Sequence, residues 1–242
     1  MSHSVKSVFP KPIYLGAATR SPIGKFGGTL KRLIAADLAT LVLKEAVKRA
    51  PDALPPQLLV LGHARQAGAR PNPARQVAIF AGFPEETPAF TVNQACASGL
   101  TSIFMGIDQI ALGRAHSVWA GGVESMSNTP YLLMEARWGY RLGHGQLVDG
   151  MYQDGFYCPM AGLIMGETVD KYLAKELCIT RAMQDAFALD SLQKANRAWE
   201  QRLFEAETFE VPGEGRTPAL RTDEHLRKNP TLEQLSKLTP VF

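Results

Sequence analysis

The chain has 242 residues, of which 45% are hydrophobic and 20% charged, and it carries a net charge of +3. That is ordinary for a globular protein with room for a sizeable core, and its scattered basic residues argue against a dedicated nucleic-acid surface while suiting an anionic small-molecule ligand. Three widely spaced cysteines, Cys96, Cys158 and Cys178, make neither a disulfide framework nor a metal motif, residues 1–11 lack the apolar region of a secretory signal, and no apolar run approaches a membrane span. The expected setting is therefore a reducing cytoplasm, with no metal.

In chain order, residues 13–17 read as a short apolar strand, followed by a glycine-rich loop over 18–28. Residues 35–50 carry helical periodicity through Leu38, Leu41, Val42 and Ala46, and residues 58–62 read as a buried strand. Asn72 is placed to cap a helix that has Pro73 at its first position and ends near Gly82. The apolar run 89–92 is a third strand. Leu100, Ile103, Phe104, Ile107, Ile110 and Ala111 then predict one buried face of a helix that runs to about Leu112. Residues 117–120 form a fourth strand running into Gly121 and Gly122. This β-α-β-α-β-α-β alternation predicts an α/β fold around a mostly parallel sheet. Beyond Ser127 a long irregular stretch, rich in glycine and aromatics, reaches Pro159. Helices are expected over 165–177 and 180–204, with Thr180 as a cap, and a short one over 231–238. The chain thus divides into an α/β part, residues 1–125, and a mainly helical part, residues 126–242.

Cys96 lies where the third strand turns into a helix, among the small residues Ala95, Ala97, Ser98 and Gly99. A helix start with free N–H groups favours a thiolate, and small neighbours let a substrate approach. The plainer alternative is a buried structural cysteine.

The motifs along this frame resemble the thiolase family. Asn93-Gln-Ala-Cys-Ala-Ser-Gly99 matches its nucleophile signature. In the same order come Arg20-Ser-Pro-Ile-Gly24, Asn72-Pro-Ala-Arg-Gln76, Gly121-Gly-Val-Glu-Ser-Met-Ser127 with Pro130-Tyr131, Met165-Gly-Glu-Thr168, Asp223-Glu-His-Leu-Arg227 and the segment from Thr231 to Phe242. The resemblance implies a thiolase-like fold of which this chain holds one incomplete αβα half, with a mainly helical loop domain covering coenzyme A. It implies interconversion of two acyl-CoA molecules with a 3-ketoacyl-CoA and free CoA, as an acetyl-CoA acetyltransferase or short-chain 3-ketoacyl-CoA thiolase. In that reading Cys96 carries the acyl group as a thioester, and its own N–H helps hold the oxyanion. Arg227 matches an arginine beside the adenine and phosphate end of CoA. Met165 matches a methionine lining the acyl or pantetheine pocket. A solvated surface arginine and a helix-core methionine are the plainer readings of those two. No cofactor is implied beyond CoA as substrate and product, and a homo-oligomer is expected by family analogy.

Departures from the family pattern are as informative as the matches. A second catalytic cysteine in Cys-x-Gly, a histidine in Gly-His-Pro and an Asn-Glu-Ala-Phe segment are all missing, and the five histidines (His3, His63, His116, His144 and His225) read as structural or exposed. The chain therefore reads as the amino-terminal part of a thiolase that needs a carboxy-terminal half, from a separate polypeptide or from residues not in this chain. The alternatives are a non-catalytic CoA-binding or assembly subunit and a condensing enzyme of the ketoacyl-synthase kind. The thiolase-like segment after Pro130 argues against the latter.

Overall fold

The computed structural model describes residues 11–242, so His3 and the rest of residues 1–10 lie outside the described residues. The chain forms two compact units. One takes the chain up to Ser21 together with Lys31–Asn128, and the other takes Pro22–Leu30 together with Thr129–Phe242.

The first unit is built on a three-stranded parallel sheet. Strand β1 (Leu59–Gly62) lies between β2 (Ala89–Val92) and β3 (Trp119–Gly122), with Leu59 opposite both Ala89 and Trp119. Alternation along β1 points Leu59 and Leu61 to one face and Val60 and Gly62 to the other. On the first face, helices α1 (Ala35–Arg49) and α2 (Pro73–Phe80) bury Ala36, Ala39, Leu43, Ala74, Val77 and Ala78 with Leu59, Leu61 and Phe83. Parallel neighbours need crossover connections, and α2 and helix α3 (Ser98–Ala111) supply them.

Local sequence explains how α2 begins. Pro73 sits at the first helical position, and the Asn72 side chain accepts the Arg75 N–H at 3.3 Å. Asn72 itself takes a left-handed conformation, φ 42°, which asparagine tolerates better than most residues. Arg75 and Gln76 then fix the loops on either side of the helix. Arg75 donates to the Thr87 and Glu85 carbonyls at 2.9 and 2.8 Å, and Gln76 Nε2 donates to Ala69 and Pro71 at 2.9 and 3.1 Å.

Three expectations for this unit are corrected. Residues 13–17 are not a strand: no described segment pairs with them, and Tyr14 stays 86% exposed. Apolar character alone does not make a strand without a neighbour to take its backbone groups. The buried face of α3 is also not the large apolar one. Ser98, Ser102 and Gly106, spaced by four, are buried, whereas Leu100 and Phe104 are 57% and 56% exposed. The cause is how closely α3 approaches the sheet. A Cβ on Gly62 would lie 2.4 Å from the Ser98 carbonyl, and one on Gly122 would lie 2.8 Å from the Gly99 Cα. Only small residues fit at that distance, so Leu100 and Phe104 face away while Ile103, Ile107 and Ile110 are half-buried at the sides. Ser102 adds a polar link, its Oγ lying 2.6 Å from the Gly99 oxygen and 2.8 Å from the Gly121 oxygen. Strand β3 also starts two residues later than the sequence pattern suggested.

The second unit contains two short antiparallel pairs, β4 (Tyr131–Leu132) with β5 (Val148–Asp149) and β6 (Tyr157–Cys158) with β7 (Leu163–Ile164). The stretch expected to be irregular therefore holds paired segments. The helix expected over 165–177 is present over 165–176: α4 (Met165–Thr168) runs on through π-helical turns over Val169–Ala174 into 175–176. Cys178, at φ 52°, makes the break, and Thr180 Oγ1 accepts the Met183 N–H at 3.3 Å to start α5 (Arg181–Glu200). That helix stops before residue 204: Arg202 turns left-handed (φ 59°), and the Trp199 and Phe204 rings come together at 5.4 Å. Helix α6 (Leu232–Ser236) opens on a capping box in which Thr231 and Gln234 bond each other's backbone. Arg181 Nη2 donates to the Leu235 and Leu238 carbonyls at 2.7 and 2.8 Å, satisfying groups at that helix's end.

Candidate active site

The carboxyl ends of β1, β2 and β3 converge, and in open parallel sheets that edge is where ligands bind. Beyond Val92 the chain makes a tight turn into α3, and Cys96 sits on it, exposed and unpaired. Local bonds hold the turn. Asn93 Oδ1 accepts the Ala95 N–H at 3.0 Å, Ser98 Oγ accepts the Gln94 N–H at 2.8 Å and donates to the Ala95 carbonyl at 2.6 Å, and Thr101 Oγ1 bonds Gln94 Oε1. The Ala97 and Ser98 N–H groups are used within the turn as well, at 3.1 Å each. Ala95 is forced to φ 48°, a left-handed conformation that costs about 1 kcal/mol or more for a residue with a Cβ. Among the described residues, the Cys96 N–H has no acceptor, while those of Ala95, Ala97 and Ser98 are all taken. Thiol and free amide thus belong to the same exposed residue.

Behind this turn lies a charged cluster. Glu124, just past β3, reaches the loop that follows β1. Its Oε2 accepts the Ala64 N–H at 3.0 Å and its Oε1 the Arg65 N–H at 3.1 Å. The same carboxylate lies 2.8 Å from His63 Nδ1, whose side chain is only 3% exposed and which also meets the Val123 oxygen at 3.0 Å. Both neighbours of Nδ1 are acceptors, so that nitrogen carries the proton in this bonding pattern. Burial pushes the Glu124 pKa up, but the His63 ring and the Ala64 and Arg65 amides outweigh that and hold it below its ordinary value. The loop it clamps bonds the cysteine turn in its own right, since Asn93 Nδ2 donates to the Ala64 carbonyl at 3.0 Å.

Cys96 belongs to the first unit, and Met165 and Arg227 belong to the second. Met165 opens α4 with its side chain half exposed, so it is not a helix-core methionine. A Cβ on the adjacent Gly166 would run into the Phe242 ring, which places the end of the chain against this turn. Arg227 is exposed, and its carbonyl accepts from Asn196 Nδ2 at 2.8 Å. The preceding acidic pair holds the glycine-rich segment in place. Asp223 accepts the Ile23 N–H at 2.7 Å and the Trp199 indole N–H at 3.1 Å. Glu224 accepts the Lys25 N–H at 2.8 Å, the Thr29 N–H at 3.2 Å and the Thr29 hydroxyl at 2.5 Å. A cavity of about 360 Å³ in the second unit, lined by Trp199, Arg202, Phe209 and Arg221, includes neither Met165 nor Arg227.

The family profile described as "Thiolase, N-terminal domain" matches residues 13–242. The chain belongs to the thiolase family. It is 42% identical over 230 residues to an Escherichia coli acetyl-CoA acetyltransferase, covering 93% of this chain and 58% of that protein. It is 39% identical over 235 residues to an acetyl-CoA acetyltransferase of Cupriavidus necator, covering 95% of this chain and 59% of that protein. The crystal structure of the Bacillus anthracis acetyl-CoA acetyltransferase superposes with a TM-score of 0.87 at 39% identity, over 93% of this chain and 57% of that one. This thiolase chain therefore spans somewhat more than half the length of the relatives it matches.

Within this thiolase chain, the ordered motifs turn out to do different jobs. The Asn72–Gln76 segment caps a helix and ties loops, Asp223 and Glu224 clamp residues 22–30, and Asn93–Gly99 carries the exposed, free Cys96. Sequence reasoning grouped Glu124 with its motif and read His63, like the other histidines, as structural or exposed. It did not see that the two form a pair bonded to the loop behind Cys96. Both residues stand just past strands that end side by side, and that was the available signal. His116, His144 and His225 are exposed, as expected.

Proposed function

We propose that this chain carries the acyl-accepting nucleophile of a thiolase-type acyltransferase, an acetyl-CoA C-acetyltransferase or short-chain 3-ketoacyl-CoA thiolase. The observation that supports it most is the exposed Cys96 thiol at the carboxyl edge of the parallel sheet, beside its own N–H, which has no acceptor among the described residues. In this reading Cys96 Sγ attacks the carbonyl carbon of an acyl-CoA, and the Cys96 N–H is assigned as a donor to the oxyanion. The bond from that carbon to the CoA sulfur then breaks, CoA takes a proton and leaves, and the acyl group stays on Cys96 as a thioester. A second acetyl-CoA, having lost an α-proton to a base, attacks that thioester, forming the 3-ketoacyl-CoA and releasing the Cys96 thiolate. Thiolysis is the reverse.

Cys158 and Cys178, and the four histidines among the described residues, stand outside the family's proton-transfer motifs. We assign those steps to a complementing carboxy-terminal thiolase half. Leu100 and Phe104, one turn apart on α3 and each more than half exposed, support this, because exposed large apolar side chains on one helix face suit a partner. Residues 126–242 are assigned as the loop domain over CoA, with Met165 near the acyl or pantetheine end and Arg227 at the adenine and phosphate end. Their exposure fits a ligand-facing role. Assembly as a homo-oligomer and a reducing cytoplasmic setting, in keeping with three unpaired cysteines, complete the proposal. No described helix is long and apolar enough to cross a membrane.

The test is turnover with acetoacetyl-CoA and CoA, measured on the chain alone and after mixing with the carboxy-terminal part of a relative. Activity only in the mixture is expected. Full activity of the chain alone would contradict the need for a second half.

A further inference from the structure

We infer that Glu124 is a positioning residue for the cysteine turn, acting through Ala64 and Asn93. The inference rests on the reading of Cys96 as the nucleophile only for its consequence, since the relay itself is geometric. Its links are continuous. The Glu124 carboxylate accepts the Ala64 N–H at 3.0 Å, the Ala64 carbonyl accepts from Asn93 Nδ2 at 3.0 Å, and Asn93 Oδ1 accepts the Ala95 N–H at 3.0 Å. The residue at the end of that chain is Ala95, held left-handed immediately before Cys96. The orientation of the Asn93 amide is fixed, because one side meets a carbonyl and the other an N–H.

Geometry explains why such a device is needed. A left-handed alanine is intrinsically unfavourable and persists only where its surroundings over-determine it. Strand pairing brings the loops together, through His63 N–H to the Val92 oxygen at 3.0 Å and Val123 N–H to the Gly62 oxygen at 3.0 Å, but it ends before the turn. The side-chain relay takes over at that point. His63 and the Arg65 N–H, at 2.8 and 3.1 Å from Glu124 Oε1, in turn keep the carboxylate facing the loop. A charged acceptor suits this place because hydrogen bonds to an ionised group are about twice as strong as neutral ones.

The test reads the turn directly, by NMR amide hydrogen exchange of the full chain. In Glu124→Ala the Ala95 amide should exchange about tenfold faster, the effect of one ordinary hydrogen bond, while Val60, Leu61 and Val77 keep their rates. Glu124→Gln keeps one acceptor oxygen but turns an NH2 towards the other donors, so it should speed Ala95 exchange by less than the alanine variant but measurably, and it carries the same test if the alanine variant does not fold. An unchanged Ala95 rate, or an equal rise at Val60, Leu61 and Val77, would overturn the relay. A second readout links it to chemistry, namely the rate at which an acetyl mass from acetyl-CoA appears on Cys96 with the carboxy-terminal part of a relative present. Glu124→Ala and Asn93→Ala should each slow it about tenfold, and the double variant should be no slower than the slower single one. Multiplication of the two effects would overturn the coupling. Absence of acetylation in the unmodified chain would count against Cys96 as nucleophile alone, leaving the relay to be decided by Ala95 exchange.

Discussion

Gly62 lies directly against the backbone of Ser98: a Cβ added to the glycine would sit 2.4 Å from the serine carbonyl carbon and oxygen. This contact sets the height of α3 above the sheet and hence the position of the turn that carries Cys96. Neither side of it is a flexible side chain that could swing away. Gly62→Ala is expected to destabilise the protein by about 1–3 kcal/mol, as overpacked cores do. Thermal or denaturant unfolding measures it, and a Tm equal to that of the unmodified protein would show that α3 can lift without cost.

Asn72 serves three neighbours at once. It caps α2, its Nδ2 donates to the Ala89 carbonyl at 2.9 Å, and its Oδ1 accepts the Thr91 hydroxyl at 3.0 Å. Asn72→Ala loses all three and leaves alanine in a left-handed conformation. A loss of about 1–2 kcal/mol is expected from the cap alone. Denaturant unfolding with an unchanged m-value would place the effect in the native state.

Glu124 makes stability depend on pH with a definite sign. Its folded pKa lies below the unfolded value of about 4.3, so its contribution is present above that value and is lost as pH falls through the lower folded one. Acid unfolding of Glu124→Gln should therefore be flatter below about pH 4.3 than that of the unmodified protein. Parallel acid-unfolding curves for the two would contradict the assignment.

Glu224 ties down Pro22–Leu30 through the Lys25 and Thr29 amides. Its pKa, raised by burial but lowered further by the Thr29 hydroxyl and these amides, falls below the ordinary value, as expected for a carboxylate engaged this way. Glu224→Ala should release the segment and speed tryptic cleavage after Lys25, with cleavage after Lys44 inside α1 as the control. Equal rates at Lys25 in both proteins would show that Asp223 and the backbone suffice.

Much of this was legible in the sequence because the signals were local. Asn72–Pro73 announces a helix start, Thr180 announces a cap, and residues 231–238 announce a short helix. What misled was periodicity read without its neighbour. Leu100 and Phe104 repeat as a buried face should, yet the sheet accepts only Ser98, Ser102 and Gly106, because Gly62 and Gly122 bring the backbones together. Residues 13–17 have the composition of a strand and no partner among the described residues. The Glu124 relay was out of reach for a different reason. Its members are scattered over some sixty positions and meet only because β1, β2 and β3 end at the same edge.

The central claim is that Cys96 accepts the acyl group. The chain is incubated with acetyl-CoA and the carboxy-terminal part of a relative, digested, and its cysteine peptides are weighed. One acetyl mass on the Cys96 peptide, absent in Cys96→Ala, is the expected result. An acetyl mass on the Cys158 peptide instead, or labelling that survives Cys96→Ala, would contradict it.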